Sequence, residues 1–376
     1  MTPLPFKSAI QSVHPYQPGK PISEVQRELG LRKVVKLASN ENALGSSPKA
    51  IRAVKRALSQ SQFYPDGGCY YLTQKLAATL KVPGAQIVIG NGSNELIELL
   101  ARGFLTPGDE VLSSEQTFLV YPILSQVTGA KYVTVPLKDW RYDLDALLGK
   151  ITPRTRIIFI ANPNNPTGTY VNAAEVRRFL EAVPPRVLVC FDEAYVDFAE
   201  ARDFPDMLEL VRRGRWPNVA ILRTFSKAYG LAGFRVGYGI FSAEVASYLH
   251  KIRQPFNVNH FAQVAAEAAL SDKAFLKKTQ KMVRDGRRFF YRELSRLGLP
   301  WLPSEANFIL VNVQTDGQAL FEAMLQRGVI VRSMKAYGLP EWLRITIGLE
   351  TENRLCLKAL EACLGKGAKA PGRKKK

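Results

Sequence analysis

The sequence predicts an α/β chain, with a mostly parallel sheet sandwiched by helices and a smaller α+β domain after it. Three observations carry that expectation. Near-continuous apolar runs recur at 86–89, 131–137, 156–161, 186–191 and 218–225, and helical patterns separate them, for example at 118–127 and 172–183. Strands that lack polar alternation are buried on both faces, as in parallel sheets built from strand–helix–strand units. From Ser271 the texture changes to a long basic amphipathic helix reaching about Leu297. Short strands at 307–313, 329–332 and 342–347 follow, with helices at 317–327 and 352–364. Finally, 376 residues are too many for one simple core and suit two domains.

Composition narrows the class. Hydrophobic residues make up 46%, as in soluble globular chains. No apolar run approaches the roughly 18 residues that a membrane helix requires, so no membrane partner is expected. The N-terminus, Met-Thr-Pro-Leu-Pro-Phe-Lys-Ser, has no long apolar region of the kind a secretory leader carries. The four cysteines (Cys69, Cys190, Cys356, Cys363) and three histidines (His14, His250, His260) are scattered without metal-ligand spacing. No metal, no disulfide framework and a reducing cytoplasmic setting are therefore expected. The formal charge of +19 raises nucleic acid as a partner. However, the excess is spread over many helices and a basic tail, and no basic–aromatic motif accompanies it. A solvated basic surface, with no nucleic-acid partner, is the expectation.

Taken in order, residues 1–40 read as an N-terminal arm. His14-Pro15-Tyr16-Gln17-Pro18-Gly19-Lys20-Pro21 favours extended and turning backbone. Lys36 to Asn42 is a short strand running into a polar loop. Ser47-Pro48 then opens a helix, with serine as N-cap and proline in the first turn. Residues 41–270 form the large domain and 271–364 the small one. Residues 365–376 form a basic tail, with six cations and no acid, that reads as disordered.

Residues 224–239, Thr-Phe-Ser-Lys-Ala-Tyr-Gly-Leu-Ala-Gly-Phe-Arg-Val-Gly-Tyr-Gly, hold the densest chemistry. Lys227 follows a buried strand. Lost hydration there lowers an amine's pKa and readies it for Schiff-base chemistry. Gly230, Gly233 and Gly237 permit close approach of the backbone to a ligand. Arg235 offers two donors to a phosphate. Gly90-Asn91-Gly92-Ser93-Asn94 lies between a strand and a helix, where backbone N–H groups bind anions; alone, it reads equally as a turn. Asp192 ends another buried strand and needs a cation, unless Asp192-Glu193 simply caps a helix. An aldehyde at one end and a phosphate at the other suit this set, which points to pyridoxal phosphate.

These stretches, with Asn162-Pro163-Asn164-Asn165-Pro166-Thr167-Gly168 and Phe191-Asp192-Glu193-Ala194-Tyr195, resemble the class I/II aminotransferases. Those enzymes have the aspartate-aminotransferase-like fold (fold type I of pyridoxal-phosphate enzymes). The resemblance runs from about Ser12 to about Gly365, and the N-terminal segment narrows it to the histidinol-phosphate branch. It implies pyridoxal 5'-phosphate on Lys227, with Asp192 at the ring nitrogen and Asn165 and Tyr195 at the phenolate. Phe118 would stack on the ring. Gly92, Ser93, Asn94, Thr224, Ser226 and Arg235 would hold the phosphate. Tyr64, in Phe63-Tyr64-Pro65-Asp66, would reach the neighbour's phosphate across a homodimer interface, and the arm would pack with the small domain and that partner. Arg344, Arg332, Tyr16 and Asn42 would bind substrate. The implied substrates are histidinol phosphate and glutamate/2-oxoglutarate, with an aromatic amino-acid aminotransferase as the alternative. A cis Asn165–Pro166 bond is implied as well.

Overall fold

The computed structural model describes residues 7–11, 13–15 and 19–365. Among them, twelve strands form three sheets. β1 is Val35–Lys36, β2 Ile87–Gly90, β3 Glu110–Ser114, β4 Lys131–Val135, β5 Thr155–Ala161 and β6 Leu188–Asp192. β7 is Val219–Thr224, β8 Gly237–Ile240, β9 Phe308–Asn312, β10 Val329–Ile330, β11 Arg332–Ser333 and β12 Trp342–Thr346. The seven-stranded sheet runs β2-β8-β7-β6-β5-β3-β4. Its strands are parallel except β8, which is antiparallel to both neighbours.

Side-chain alternation explains the apolar runs. Ile158, Ile160, Val189, Phe191 and Ile221 enter the core on one face of the sheet. Ile157, Phe159, Leu188, Cys190, Ala220 and Leu222 enter the core on the other. Successive residues point to opposite faces, so both positions must be apolar when helices cover both. Helices Tyr70–Leu80, Ala173–Ala182 and His260–Leu270 cover the first face, and helices Ser93–Phe104 and Ala243–Ile252 the second.

β11, β12 and β9 form a small antiparallel sheet, and β1 pairs with β10 in parallel. Helix Lys273–Arg296 packs Val283, Phe290 and Leu294 against Phe308, Val311 and Ile345 of that sheet. Leu37 and Tyr195 share this cluster, which joins the arm and the end of β6 to it. The helix Pro48–Ala57 starts as expected: Ser47 Oγ accepts from the Ala50 N–H and donates to Asp272.

Three strand regions differ from the sequence reading. β3 begins with Glu110 and ends with two serines, so its apolar stretch is short; all five residues are buried. β8, Gly-Tyr-Gly-Ile, reads in sequence as glycine-rich backbone near a ligand. In the structure a Cβ at Gly237 would strike the Ser93 nitrogen and the Arg223 oxygen, and one at Gly230 the Gly45 oxygen. These glycines bring backbone against backbone. The 329–332 strand is also split into β10 and β11, which serve different sheets.

Candidate active site

The turns after the carboxyl ends of β2, β5, β6 and β7 open on one cavity of about 250 Å³. Ligands of open α/β sheets sit at this edge. Ser93, Asn94, Phe118, Asn165, Asp192, Tyr195, Thr224, Ser226, Lys227 and Arg235 all line it.

Lys227 lies just beyond β7, and its Nζ donates to the Ser39 carbonyl at 3.0 Å. The ammonium sits 5.9 Å from the centre of the Tyr195 ring. Burial, then the positive charge of Arg344 and Arg235, depresses its pKa to about 8, against the opposing pull of Glu41 and Asp192. Near neutrality a useful fraction is therefore free amine, the nucleophilic form.

Asp192 ends β6. Its Oδ2 accepts from the Tyr121 hydroxyl at 2.8 Å and its Oδ1 from the Ala194 N–H at 3.2 Å. Burial pushes its pKa up to about 6, with the Tyr121 and Ala194 hydrogen bonds and Lys227 opposing. The group is thus ionised at neutral pH and buried, an arrangement that calls for a cation.

The anion cradle is built from backbone. Gly92 caps helix Ser93–Phe104 with φ of 76° and no side-chain cap bond. First-turn N–H groups of the helix are left without intrahelical acceptors and carry the positive end of its dipole. The Arg235 guanidinium lies against this turn: a Cβ at Gly92 would come within 2.7 Å of its Nη2. Thr224 and Ser226 supply hydroxyls from the end of β7.

Arg344, on β12, is buried. It donates to Asn165 Oδ1 through Nη1 and to the Ala38 carbonyl at 2.7 Å through Nη2. Its Nε is buried without a partner, and among the described residues no carboxylate pairs with it. Arg332 is directly opposite on β11, so both arginines leave the sheet on one face.

Several expected residues lie elsewhere. Arg332 lines a second cavity with Lys20, Ser333 and Lys335. Asn42 does not line this cavity: its Nδ2 donates to the Ala228 carbonyl and to Thr279 Oγ1, tying the loop to helix Lys273–Arg296. Tyr64 is 83% exposed and stacks on Phe256 at 4.8 Å, outside the cavity. Tyr16 lies outside the described residues, as does nearly all of the tail. The Asn165–Pro166 bond is cis, and so is Asn162–Pro163.

Two residues of the site escape sequence reasoning. Tyr121, three positions after Phe118 in an apolar helix, reads as core. Asn40 donates to the Tyr195 hydroxyl at 2.9 Å, exchanges hydrogen bonds with Thr346, and accepts from Asn307 Nδ2 at its carbonyl. Burial holds the Tyr195 phenol up at about 12, so it is a neutral donor. Among the described residues no group of His, Cys, Asp or Glu is arranged to hold a metal, and no helix is long and apolar enough to cross a membrane.

A family model described as aminotransferase class I and II matches residues 32–360. A protein of Akkermansia muciniphila named histidinol-phosphate aminotransferase is 51% identical over 93% of this chain and 96% of its own. A crystal structure of histidinol-phosphate aminotransferase from Sinorhizobium meliloti, in complex with pyridoxal-5'-phosphate, superposes with a TM-score of 0.88. It is 30% identical and covers 96% of this chain and 98% of that one. A Thermus thermophilus aspartate aminotransferase, 21% identical over 96% of this chain, shares the fold with a TM-score of 0.83.

Proposed function

This chain belongs to the class I and II aminotransferase family, and we propose that it is a pyridoxal-phosphate-dependent histidinol-phosphate aminotransferase. Its reaction is L-histidinol phosphate + 2-oxoglutarate = imidazole acetol phosphate + L-glutamate, a step of histidine biosynthesis. The observation that carries this reading is the meeting of a depressed-pKa lysine, a buried carboxylate and a backbone anion cradle in one cavity. The donor set fits the cofactor: an amine for an aldehyde, a carboxylate for a ring nitrogen, and a helix N-terminus with Arg235 for a phosphate. The relatives' shared name carries the substrate.

Bound there, pyridoxal phosphate supplies an aldehyde that takes up an amino group and a ring that accepts the electron pair of a broken C–H bond. Lys227 Nζ would hold the aldehyde and, when freed, would take up and return the proton of the substrate α-carbon. Asp192 would pair with the ring nitrogen and keep it protonated. Asn165 and Tyr195 would donate to the phenolate oxygen, and Asn40 fixes the Tyr195 hydroxyl. Phe118 backs the ring. Ser93, Asn94, Thr224, Ser226 and Arg235 hold the phosphate. Arg344, with its unpartnered Nε, takes the substrate carboxylate or phosphate, and Arg332 adds charge from the adjacent strand.

Tyr64 belongs to a neighbour's site in this reading, which its exposure supports, and the active unit is a homodimer that sedimentation detects. The four free cysteines, three of them buried, agree with a cytoplasmic setting. The test is a transamination assay with 2-oxoglutarate that compares histidinol phosphate with phenylalanine and tyrosine. Preference for histidinol phosphate is expected; a strong preference for phenylalanine would make the chain an aromatic aminotransferase.

A further inference from the structure

We propose that Tyr121 is the positioning residue for the carboxylate that faces the cofactor ring, holding Asp192 in orientation and in its ionised form through one phenol hydrogen bond. The proposal rests on the cofactor reading above. Tyr121 is fully buried. Its ring stacks on Phe159 at 4.6 Å with planes 6° apart, and meets Phe118 edge-on at 5.6 Å. Between those rings the phenol has little room to swing. Its hydroxyl donates to Asp192 Oδ2 at 2.8 Å. For packing alone, phenylalanine would fill the same space, and a buried hydroxyl without an acceptor is costly. The oxygen is explained by the carboxylate it meets.

The geometry has two consequences. With Oδ2 bound by Tyr121 and Oδ1 by the Ala194 N–H, the carboxylate cannot rotate without breaking a bond. Each oxygen keeps a further lone pair for a ligand in the cavity that Asp192 lines. A donor to the charged form also opposes the burial that favours protonation. Phe118, the cavity wall, rests on the same phenol, so wall and carboxylate share one support.

Four other titratable groups face Asp192: Lys227 from beyond β7, Cys190 and Tyr195 from its own segment, and Tyr142 from the loop before helix Leu144–Gly149. Burial raises Cys190, Tyr142 and Tyr195, so these stay neutral between pH 5 and 8. Lys227 titrates at about 8. In the cofactor-free protein, a group of this cavity that titrates between pH 5 and 7 is therefore Asp192.

The test is Tyr121→Phe in the full-length, cofactor-loaded protein. Its readouts are the dissociation constant for pyridoxal phosphate against pH, whose acid limb reports Asp192 in the cofactor-free protein, and kcat and KM of the loaded protein with glutamate. The acid limb should move up by about one unit, a tenfold change in proton affinity. The cofactor should bind several-fold more weakly, and kcat should fall while KM holds. In an Asp192→Asn background the same substitution should change cofactor affinity less than twofold, because the effect passes through the carboxylate. An unmoved acid limb in the binding profile would overturn the proposal, and so would an equal loss in both backgrounds. A parent protein that takes up no cofactor overturns the function reading itself, and is seen before any variant is compared.

Discussion

Asp192→Asn should stabilise the protein without cofactor at alkaline pH while disabling it with cofactor. Burial raises the Asp192 pKa from the ordinary 3.8 to about 6. Folding therefore favours its protonated form. That contribution is complete below about pH 4 and is lost as pH rises through 6. The full difference is worth about 3 kcal/mol. Between pH 5 and pH 8 the loss is about 1.4 kcal/mol. Asparagine carries no charge at either pH and suffers no such loss. Its amide can accept from Tyr121, but its NH₂ meets the Ala194 N–H, a lost bond of about 1 kcal/mol that does not depend on pH. The assay is urea unfolding of the cofactor-free protein at both pH values, at one protein concentration. The stability difference, variant minus parent, should move in the variant's favour by about 1.4 kcal/mol from pH 5 to pH 8. With cofactor bound, the single-turnover reaction with glutamate should slow roughly a hundredfold or more, about 3 kcal/mol of barrier. An equal destabilisation at both pH values would refute the buried-charge reasoning, and an unchanged single-turnover rate would remove Asp192 from the chemistry.

Gly92→Ala places a side chain at φ of 76° and within 2.7 Å of Arg235 Nη2, so cofactor affinity should drop at least about tenfold with the fold intact, as equilibrium dialysis and circular dichroism would show. Arg344→Lys replaces a planar fork with a point charge at a buried site. Its kcat/KM should fall roughly thirty-fold to several-thousand-fold in both half-reactions, and a change under about threefold would contradict the substrate role. Because burial lowers the Lys227 pKa, its amine is neutral above about pH 8, and the rate of cofactor capture should fall tenfold per unit below that. A stopped-flow midpoint near 10.5 would show an unperturbed lysine.

The parts legible in sequence are those whose signal is local. β5, β6 and β7 show as apolar runs because helices bury both their faces. Asp192, Asn165 and Lys227 show because each ends or follows such a strand in a dense motif. β3 hides because Ser113 and Glu110 are polar yet satisfied inside: Ser113 donates to the Phe159 carbonyl and Glu110 accepts from Thr152. The links that complete the site join residues far apart in the chain. Asn40 reaches Tyr195 across 155 positions and Tyr121 reaches Asp192 across 71. Nothing in the neighbourhood of either residue announces its partner. Asn42, expected near the substrate from the resemblance, likewise has partners that its local sequence does not announce: Ala228 and Thr279.

The central claim is that Lys227 holds the cofactor. Borohydride reduction of the protein with pyridoxal phosphate, followed by peptide mapping, tests it directly. The adduct should fall on Lys227, and Lys227→Ala should take up no label and lose transamination by orders of magnitude while keeping its fold. A label on another lysine, or near-normal activity in Lys227→Ala, would contradict the account.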